Sequence, residues 1–123
     1  MRALIVDDSR SIRSYVRLLL EKQGLECMEA ENGQVALAML KRCGVCDLAL
    51  VDVNMPVMGG LECVKTMRSF PEMKSMKIIM VTTEADHALI DAALEVGADE
   101  YLMKPFDISG LVSKLQMIGV AQG

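Results

Sequence analysis

The 123-residue sequence has no apolar stretch long enough to cross a membrane. It also has no cluster of lysine and arginine, and its net charge is −4, so we expect no direct binding of nucleic acid. Residues 1–8 do not have the layout of a secretory signal, because acidic residues stand where the apolar segment should continue. We therefore expect a cytoplasmic protein that contacts neither membrane nor nucleic acid.

Histidine and paired cysteines are scarce as well. The sequence has one histidine, His87, and a single CxxC motif at Cys43 and Cys46. A structural zinc site needs four ligands, and the other cysteines, Cys27 and Cys63, form no second CxxC. A redox CxxC lies at the start of a helix, whereas this one follows a helical pattern and precedes a predicted strand. We interpret it as part of a loop, with thiols that stay reduced.

Five short apolar segments bounded by polar residues, glycine or proline predict strands. They cover residues 3–6, 25–29, 48–52, 77–81 and 100–103. Between and after them, apolar residues recur at helical spacing, and the fourth predicted helix covers about residues 86–96. For the last helix, the spacing assigns to the inner face Ile108, Leu111, Val112, Leu115 and Ile118. This alternation is typical of an α/β, doubly wound domain with five parallel strands and five helices. We expect one domain over residues 1–123 with no output domain attached.

The third predicted strand runs directly into Asp52. A buried parallel strand should not end on a carboxylate without a reason, because burying an unpaired charge is costly. Right-handed crossovers bring the carboxyl ends of all the strands to one edge of the sheet, where ligands bind in this fold class. The polar residues expected to converge there are Asp7, Asp8, Asp52, Thr82 and Lys104.

The chemistry of these five side chains favours phosphoryl transfer. Three clustered carboxylates repel each other, and a hard cation such as magnesium, which prefers oxygen ligands and a substrate phosphate, relieves the repulsion. A lysine suits a phosphate as a point charge, and a threonine hydroxyl can donate to a phosphoryl oxygen. The set therefore predicts magnesium-assisted phosphoryl transfer with one aspartate as the acceptor nucleophile.

Four motifs in chain order resemble the receiver domains of two-component response regulators, and among them the stand-alone CheY-like members. The motifs are Asp7-Asp8, the segment from Asp52 to Met55-Pro56, Thr82-Thr83-Glu84, and Tyr101-x-x-Lys104-Pro105-Phe106. Each motif is weak alone, but all four occur in order at predicted strand ends, and the resemblance covers nearly the whole chain. It implies a flavodoxin-like fold with strand order 2-1-3-4-5.

The resemblance also implies the phosphoacceptor and the metal ligands. Asp52 would accept a phosphoryl group from the phosphohistidine of a sensor histidine kinase or a phosphotransfer protein. Asp8, Asp52 and the backbone carbonyl of Asn54 would ligate magnesium, and Asp7 would help through water. The protein would then be a phosphorylation-activated switch rather than an enzyme, although it would catalyse its own phosphorylation and dephosphorylation.

Further implied roles concern the response to phosphorylation. Lys104 would contact the phosphoryl group, Thr82 would move toward it, and Tyr101 would change rotamer. The Lys104-Pro105 bond would be cis, which is cheap only before proline. The signal would leave through the face of the fourth helix, fifth strand and fifth helix to a downstream protein. We expect a monomer, with dimerisation on phosphorylation as an alternative.

Two positions depart from the commonest receiver pattern, and one role depends on the resemblance alone. Gly59 stands where many relatives have aspartate, and Thr83 stands where relatives usually have a smaller residue. Thr83 is expected to crowd the phosphoryl group. For Tyr101, a half-buried strand side chain is the default interpretation, so its switch role has no support from the residues themselves.

Three other functions compete with the switch. A magnesium-dependent phosphatase would also pass through an aspartyl-phosphate, but such enzymes carry a cap for which this chain is too short. A flavin binder would need a Ser/Thr/Gly phosphate loop after the first strand, where the segment 7–10 carries two acids, and no P-loop occurs either. A receiver that binds partners without phosphorylation is disfavoured because the site residues are complete.

Overall fold

The computed structural model describes residues 1–53, 55, 58–83 and 87–120, apart from the side chain of His87. Within these residues, five strands form one parallel sheet in the order β2-β1-β3-β4-β5. The strands are β1 (Arg2–Val6), β2 (Glu26–Ala30), β3 (Leu48–Asp52), β4 (Lys77–Thr82) and β5 (Glu100–Met103). They alternate with the helices α1 (Arg10–Lys22), α2 (Gly33–Cys43), α3 (Gly60–Ser69), α4 (His87–Glu95) and α5 (Ile108–Met117). The predicted doubly wound fold and its strand order are confirmed.

Both faces of the sheet are covered, and this explains why the inner strands β1, β3 and β4 carry continuous apolar runs without alternation. Helices α1 and α5 pack on one face, against alternate strand residues such as Ile5 and Leu50. Helices α2, α3 and α4 pack on the other face, against residues such as Leu4 and Val51. All five residues of β3 are buried, so the central strand that leads to Asp52 is held from both sides.

The second strand begins one residue later than predicted. It pairs with β1 from Arg2 opposite Glu26 to Val6 opposite Ala30. Leu25 instead belongs to the turn after α1, where its N–H donates to the carbonyl of Leu20 at 3.2 Å. The apolar character of Leu25 therefore serves packing against the helix rather than strand pairing. A short 3₁₀ helix at Pro71–Met73, which the sequence did not predict, leads into β4.

The assignment of Ile108 to the inner face of the last helix is wrong. Ile108 is 36% exposed, whereas Leu111 and Leu115 are fully buried. It is the first residue of α5, after the N-cap Asp107, whose side chain accepts from the N–H of Gly110 at 2.9 Å. A helical side chain leans over the turn that precedes it, and at the first position no such turn exists.

The register aligns the carboxyl ends of the strands at one edge of the sheet. Val6 pairs with Val51, Asp52 pairs with Val81, and Thr82 pairs with Met103. The residues that follow these positions therefore come together. None of the helices that the structure describes is long and apolar enough to span a membrane. The predicted start of the fourth helix at Asp86 lies outside the described residues.

Candidate functional site

Three aspartates meet at the carboxyl edge of the sheet. Asp7, Asp8 and Asp52 each place a carboxylate oxygen within 4.8 Å of the other two. Asp7 and Asp52 are buried, with 4% and 6% of their surface exposed, whereas Asp8 is exposed to solvent. Two of the carboxylates are therefore inside the protein, and the third leaves the cluster open to a ligand from solvent. The cluster contains the three acids that were expected at the strand ends.

Asp7 is fixed through its backbone and its side chain. Its N–H donates to the carbonyl of Ala30 on β2 at 3.1 Å. Carboxylate oxygen Oδ1 accepts from the N–H of Ser9 at 2.8 Å, and Oδ2 accepts from Nζ of Lys104, also at 2.8 Å. Its carbonyl oxygen accepts from the guanidinium of Arg13 at 2.6 Å. Asp7 is therefore held in one orientation before any ligand arrives.

Lys104 faces the acids from the end of β5. Its Nζ lies 2.8 Å from Asp7 Oδ2 and 3.6 Å from Asp52 Oδ1, and 16% of its side chain is exposed. Its backbone N–H donates to the carbonyl of Thr82 at 2.8 Å, which ties the two strand ends together. The bond from Lys104 to Pro105 is cis, as the resemblance implied.

The segment after Asp52 turns back sharply into α3. The N–H of Val53 donates to the carbonyl of Val81, and the N–H of Gly60 donates to the carbonyl of Val53, both at 2.9 Å. A Cβ atom at Gly60 would lie 2.2 Å from the carbonyl oxygen of Asp52, closer than any real contact. Only glycine therefore fits at position 60. Gly59 is the N-cap of α3 and supplies no side-chain hydrogen bond.

The remaining predicted site residues lie around this cluster. Thr82 is 2% exposed at the end of β4, whereas the next residue, Thr83, is exposed. Thr83 borders a pocket of about 390 Å³ whose other lining residues are Ile12, Tyr15, Lys104, Pro105 and Phe106. Asn54, Pro56 and Glu84, which belong to the predicted motifs, lie outside the described residues.

Tyr101 lies apart from the acids, on β5 at an open groove of about 700 Å³ between that strand and α5. It is half-buried, as the default interpretation expected. Nζ of Lys114 lies 4.3 Å from the centre of its ring, and the same Nζ lies 3.2 Å from a carboxylate oxygen of Glu100. The ring is thus covered by a cation that is itself paired.

The donor set of the cluster fits a hard divalent cation. Three carboxylates against the single ammonium group of Lys104 leave two negative charges, which a divalent ion would neutralise. All the side-chain donors are oxygens, as magnesium prefers, and the exposed side at Asp8 leaves room for water and a phosphate. Receiver domains typically hold magnesium in an acidic pocket of this kind.

Two contacts of α1 with the site were missed from the sequence. The side chain of Arg13 is 14% exposed and donates to the backbone carbonyl of Asp7 at 2.6 Å. The hydroxyl of Tyr15 donates to the carbonyl of Phe106 at 2.7 Å, in the loop that follows Lys104. Both contacts end on backbone carbonyls, which carry no signal in the sequence.

Among the described residues the acidic cluster includes no cysteine, and all four cysteines are free thiols. The CxxC motif spans the end of α2, with Cys43 exposed and Cys46 buried, which agrees with the predicted placement before a strand. Burial raises the pKa of the Cys27 thiol to about 11 and that of Cys63 to about 12. These two thiols are therefore protonated and unreactive near neutral pH.

Comparison with known proteins identifies the family. Residues 3–116 match the response regulator receiver domain. The chain is 38% identical over 119 residues to the chemotaxis protein CheY1 of Helicobacter pylori, with 96% of each chain covered. It is 39% identical to the chemotaxis protein CheY-3 of Vibrio cholerae, covering 96% of this chain and 91% of that one.

The fold agrees with this sequence similarity. The structure of the chemotaxis response regulator CheY4 of Vibrio cholerae matches with a TM-score of 0.89 and 39% identity, over 95% of this chain and 97% of that chain. A CheY-like receiver domain protein from Methanospirillum hungatei matches with a TM-score of 0.84 and 34% identity, over 94% and 90%. This chain is therefore a CheY-like member of the response regulator receiver domain family, whose members are two-component signalling proteins.

Proposed function

We propose that this protein is a switch that is turned on by phosphorylation of Asp52. The observation that carries the proposal is the position of the Asp52 carboxylate. It is buried at the end of the central strand, among the two other acids and 3.6 Å from Nζ of Lys104. A nucleophilic carboxylate, a cation for the incoming phosphoryl group and a cluster fit for a divalent metal are thus combined in one place.

In the proposed reaction, a carboxylate oxygen of Asp52 attacks the phosphorus of a phosphohistidine on a sensor kinase or phosphotransfer protein. The new O–P bond forms as the N–P bond breaks, and the histidine nitrogen leaves with the bonding electron pair. The product is an acyl phosphate on Asp52 and a histidine ready for another cycle. Bound magnesium would neutralise charge on the phosphoryl oxygens, held by Asp8 and Asp52 with Asp7 acting through water.

Side chains of the protein would make the remaining contacts with the phosphoryl group. Lys104 is placed to pair with a phosphoryl oxygen once the group is on Asp52, because its Nζ already lies between Asp7 and Asp52. The hydroxyl of Thr82, at the next strand end, would donate to another phosphoryl oxygen. The carbonyl of Asn54 is the further metal ligand that the resemblance implies. Thr83, exposed beside Lys104, would limit access for the donor or for an attacking water.

The signal would leave as a change in protein binding at the face of α4, β5 and α5. A ligand shifts a two-state equilibrium only through contacts that differ between the states, and Thr82 and Lys104 are placed to make such contacts. Tyr101 is on the same strand, three residues before Lys104, and borders the open groove beside α5. In this proposal the protein acts in the cytoplasm as a monomer. Because the relatives are named chemotaxis proteins, a chemotaxis kinase is the first donor to test.

Acetyl phosphate with magnesium tests the proposal without a known kinase. A switch should gain a single phosphoryl group that is labile to hydroxylamine, as an acyl phosphate is, and the intact mass should show it. A phosphatase would instead turn over phosphate monoesters through many cycles while the protein gained no lasting mass. Multiple turnover of that kind would replace the switch with the phosphatase.

A further inference from the structure

Arg13 on α1 contacts the backbone of the acidic cluster and donates hydrogen bonds through two nitrogens of its guanidinium. One terminal nitrogen of Arg13 donates to the backbone carbonyl oxygen of Asp7 at 2.6 Å. Its Nε donates to Oε1 of Glu29 on β2 at 3.1 Å. With 14% of the arginine side chain and 24% of the glutamate side chain exposed, the pair is mostly shielded from water. Arg13 therefore links α1, β2 and the end of β1.

The contact with the carbonyl of Asp7 has a consequence for Asp8. A peptide unit is planar, so a fixed carbonyl oxygen also fixes the N–H and the Cα atom of the next residue. The N–H of Asp7 is held by Ala30, and the carbonyl is held by Arg13, so both sides of this residue are anchored. Asp8 itself is exposed, and packing cannot orient it. The position of its Cα is therefore set by the peptide that Arg13 holds and, on the other side, by the N–H of Ser9, which donates to Oδ1 of Asp7 at 2.8 Å.

Glu29 reduces the electrostatic penalty that this arrangement would otherwise carry. A lone guanidinium next to the acidic cluster would repel a divalent cation. Here the carboxylate of Glu29 pairs with Arg13 through Oε1 and with Arg17 through Oε2 at 2.5 Å. Arg17 uses its other terminal nitrogen on the carbonyl of Cys27, and in the part of the chain that the structure describes it has no recorded hydrogen bond to Asp7. Arg17 also pairs with Oε2 of Glu21 at 3.6 Å, so the two arginines face two carboxylates, and Arg13 is the one that contacts Asp7.

We propose that Arg13 is a positioning residue for the cation site, which fixes the Asp7–Asp8 peptide so that the exposed Asp8 faces the other two carboxylates. Glu29 orients the guanidinium and offsets part of its charge. Arg13 touches neither the cation nor the phosphoryl group. The inference rests on the proposed function, since it concerns the same site.

The test is magnesium affinity of the full chain by titration calorimetry, at a temperature where thermal melts show every variant folded. Arg13→Gln should weaken magnesium binding by about tenfold or more, as loss of an outer contact behind a metal ligand typically does. Arg13→Lys keeps the charge but can reach the Asp7 carbonyl or Glu29, not both, and should fall between. Arg17→Gln, the matched control on the same helix and the same glutamate, should stay within about twofold of the wild type.

A second readout separates positioning from a merely structural role. In metal-free protein, the carbonyl ¹³C resonance of Asp7 and the amide ¹⁵N resonance of Asp8 should shift in Arg13→Gln but not in Arg17→Gln. Wild-type magnesium affinity in a folded Arg13→Gln overturns the inference, and so does an equal loss in Arg17→Gln. If Arg13→Gln does not fold, Arg13→Lys is the deciding variant. Wild-type magnesium affinity in Arg13→Lys would show that the simultaneous contacts of Arg13 with Asp7 and Glu29 are not needed, and would overturn the inference. If the wild type takes up no phosphoryl group but the arginine variants still differ, the proposed function fails and the positioning role stands.

Discussion

Lys104 lies closer to Asp7 than to Asp52, with Nζ 2.8 Å from Oδ2 of Asp7 and 3.6 Å from Oδ1 of Asp52. The lysine that is expected to contact the phosphoryl group is therefore engaged by a neighbouring acid before phosphorylation. Phosphorylation of Asp52 would bring new anionic oxygens to the same ammonium group. The ammonium group would then contact both Asp7 and the phosphoryl group. In the metal-free state, Lys104 is the counter-ion of the Asp7 carboxylate.

Lys104→Met should destabilise the metal-free protein and increase its response to magnesium. The buried carboxylate of Asp7 loses a charged hydrogen bond, which typically costs about 2 kcal/mol, and removal of a cation beside the cluster strengthens magnesium binding. Urea unfolding with and without magnesium measures both effects. Lys114→Met, which removes a lysine paired with Glu100 away from the acids, is the control. A magnesium effect no larger than that of the wild type would argue against Lys104 as a counter-ion.

Asp8→Asn should slightly stabilise the metal-free protein and remove its magnesium response. The substitution relieves repulsion among three carboxylates within 4.8 Å of one another, but Asp8 is exposed, so the melting midpoint should rise by only about 1–3 °C. Wild-type protein should gain about 2.7 kcal/mol at a magnesium concentration of about 100 times its dissociation constant. The same rise with magnesium in Asp8→Asn would show that the metal binds elsewhere.

Gly60→Ala and Gly59→Asp should change stability in opposite directions. A Cβ at position 60 meets the carbonyl of Asp52 at 2.2 Å, so this turn must shift and the unfolding free energy should fall by about 3 kcal/mol. At position 59 the nearest atom to a Cβ, the carbonyl oxygen of Val53, lies at 3.9 Å, and the backbone has extended N-cap geometry. An aspartate there can cap α3 and should add about 0.5–1 kcal/mol. Urea unfolding measures both, and a Gly60→Ala variant as stable as the wild type would contradict the close approach.

Thr82→Ala and Tyr101→Ala should uncouple phosphorylation from the output face. A beryllium–fluoride mimic bound at Asp52 should shift the amide resonances of α5 in the wild type. Thr82→Ala should bind the mimic but show smaller shifts there, because it lacks the hydroxyl that is proposed to donate to the phosphoryl group. Tyr101→Ala should do the same, whereas Tyr101→Phe keeps the ring under Lys114 and serves as the control. Full wild-type shifts of α5 in both alanine variants would place the output elsewhere.

The architecture could be predicted because a parallel sheet covered on both faces leaves a plain pattern of apolar segments. That pattern located β3 and β5 to the residue, and the rule for crossovers then brought Asp7, Asp52 and Lys104 together. It failed where apolar character serves another purpose: Leu25 packs after α1 instead of pairing, and Ile108 starts a helix without a preceding turn.

The finer geometry of the site could not be predicted, because it depends on backbone acceptors. Arg13 and Tyr15 each donate to a carbonyl oxygen, and every residue has one, so no residue type marks the partner. The preference of Lys104 for Asp7 over Asp52 depends on differences of less than an ångström in side-chain placement. The spacing of residues along the chain predicts which side chains meet at the sheet edge, but not which two of them are closest.

The most direct test of the central claim is the site of phosphorylation. Wild-type protein and Asp52→Asn are incubated with acetyl phosphate and magnesium, and each is then analysed by intact mass and by peptide mapping after reduction with borohydride, which marks an aspartyl-phosphate. We expect one phosphoryl group on the wild type, mapped to Asp52, and none on Asp52→Asn, which should keep the wild-type fold. Phosphorylation of Asp52→Asn at the wild-type rate, or mapping of the group to Asp7 or Asp8, would contradict the account.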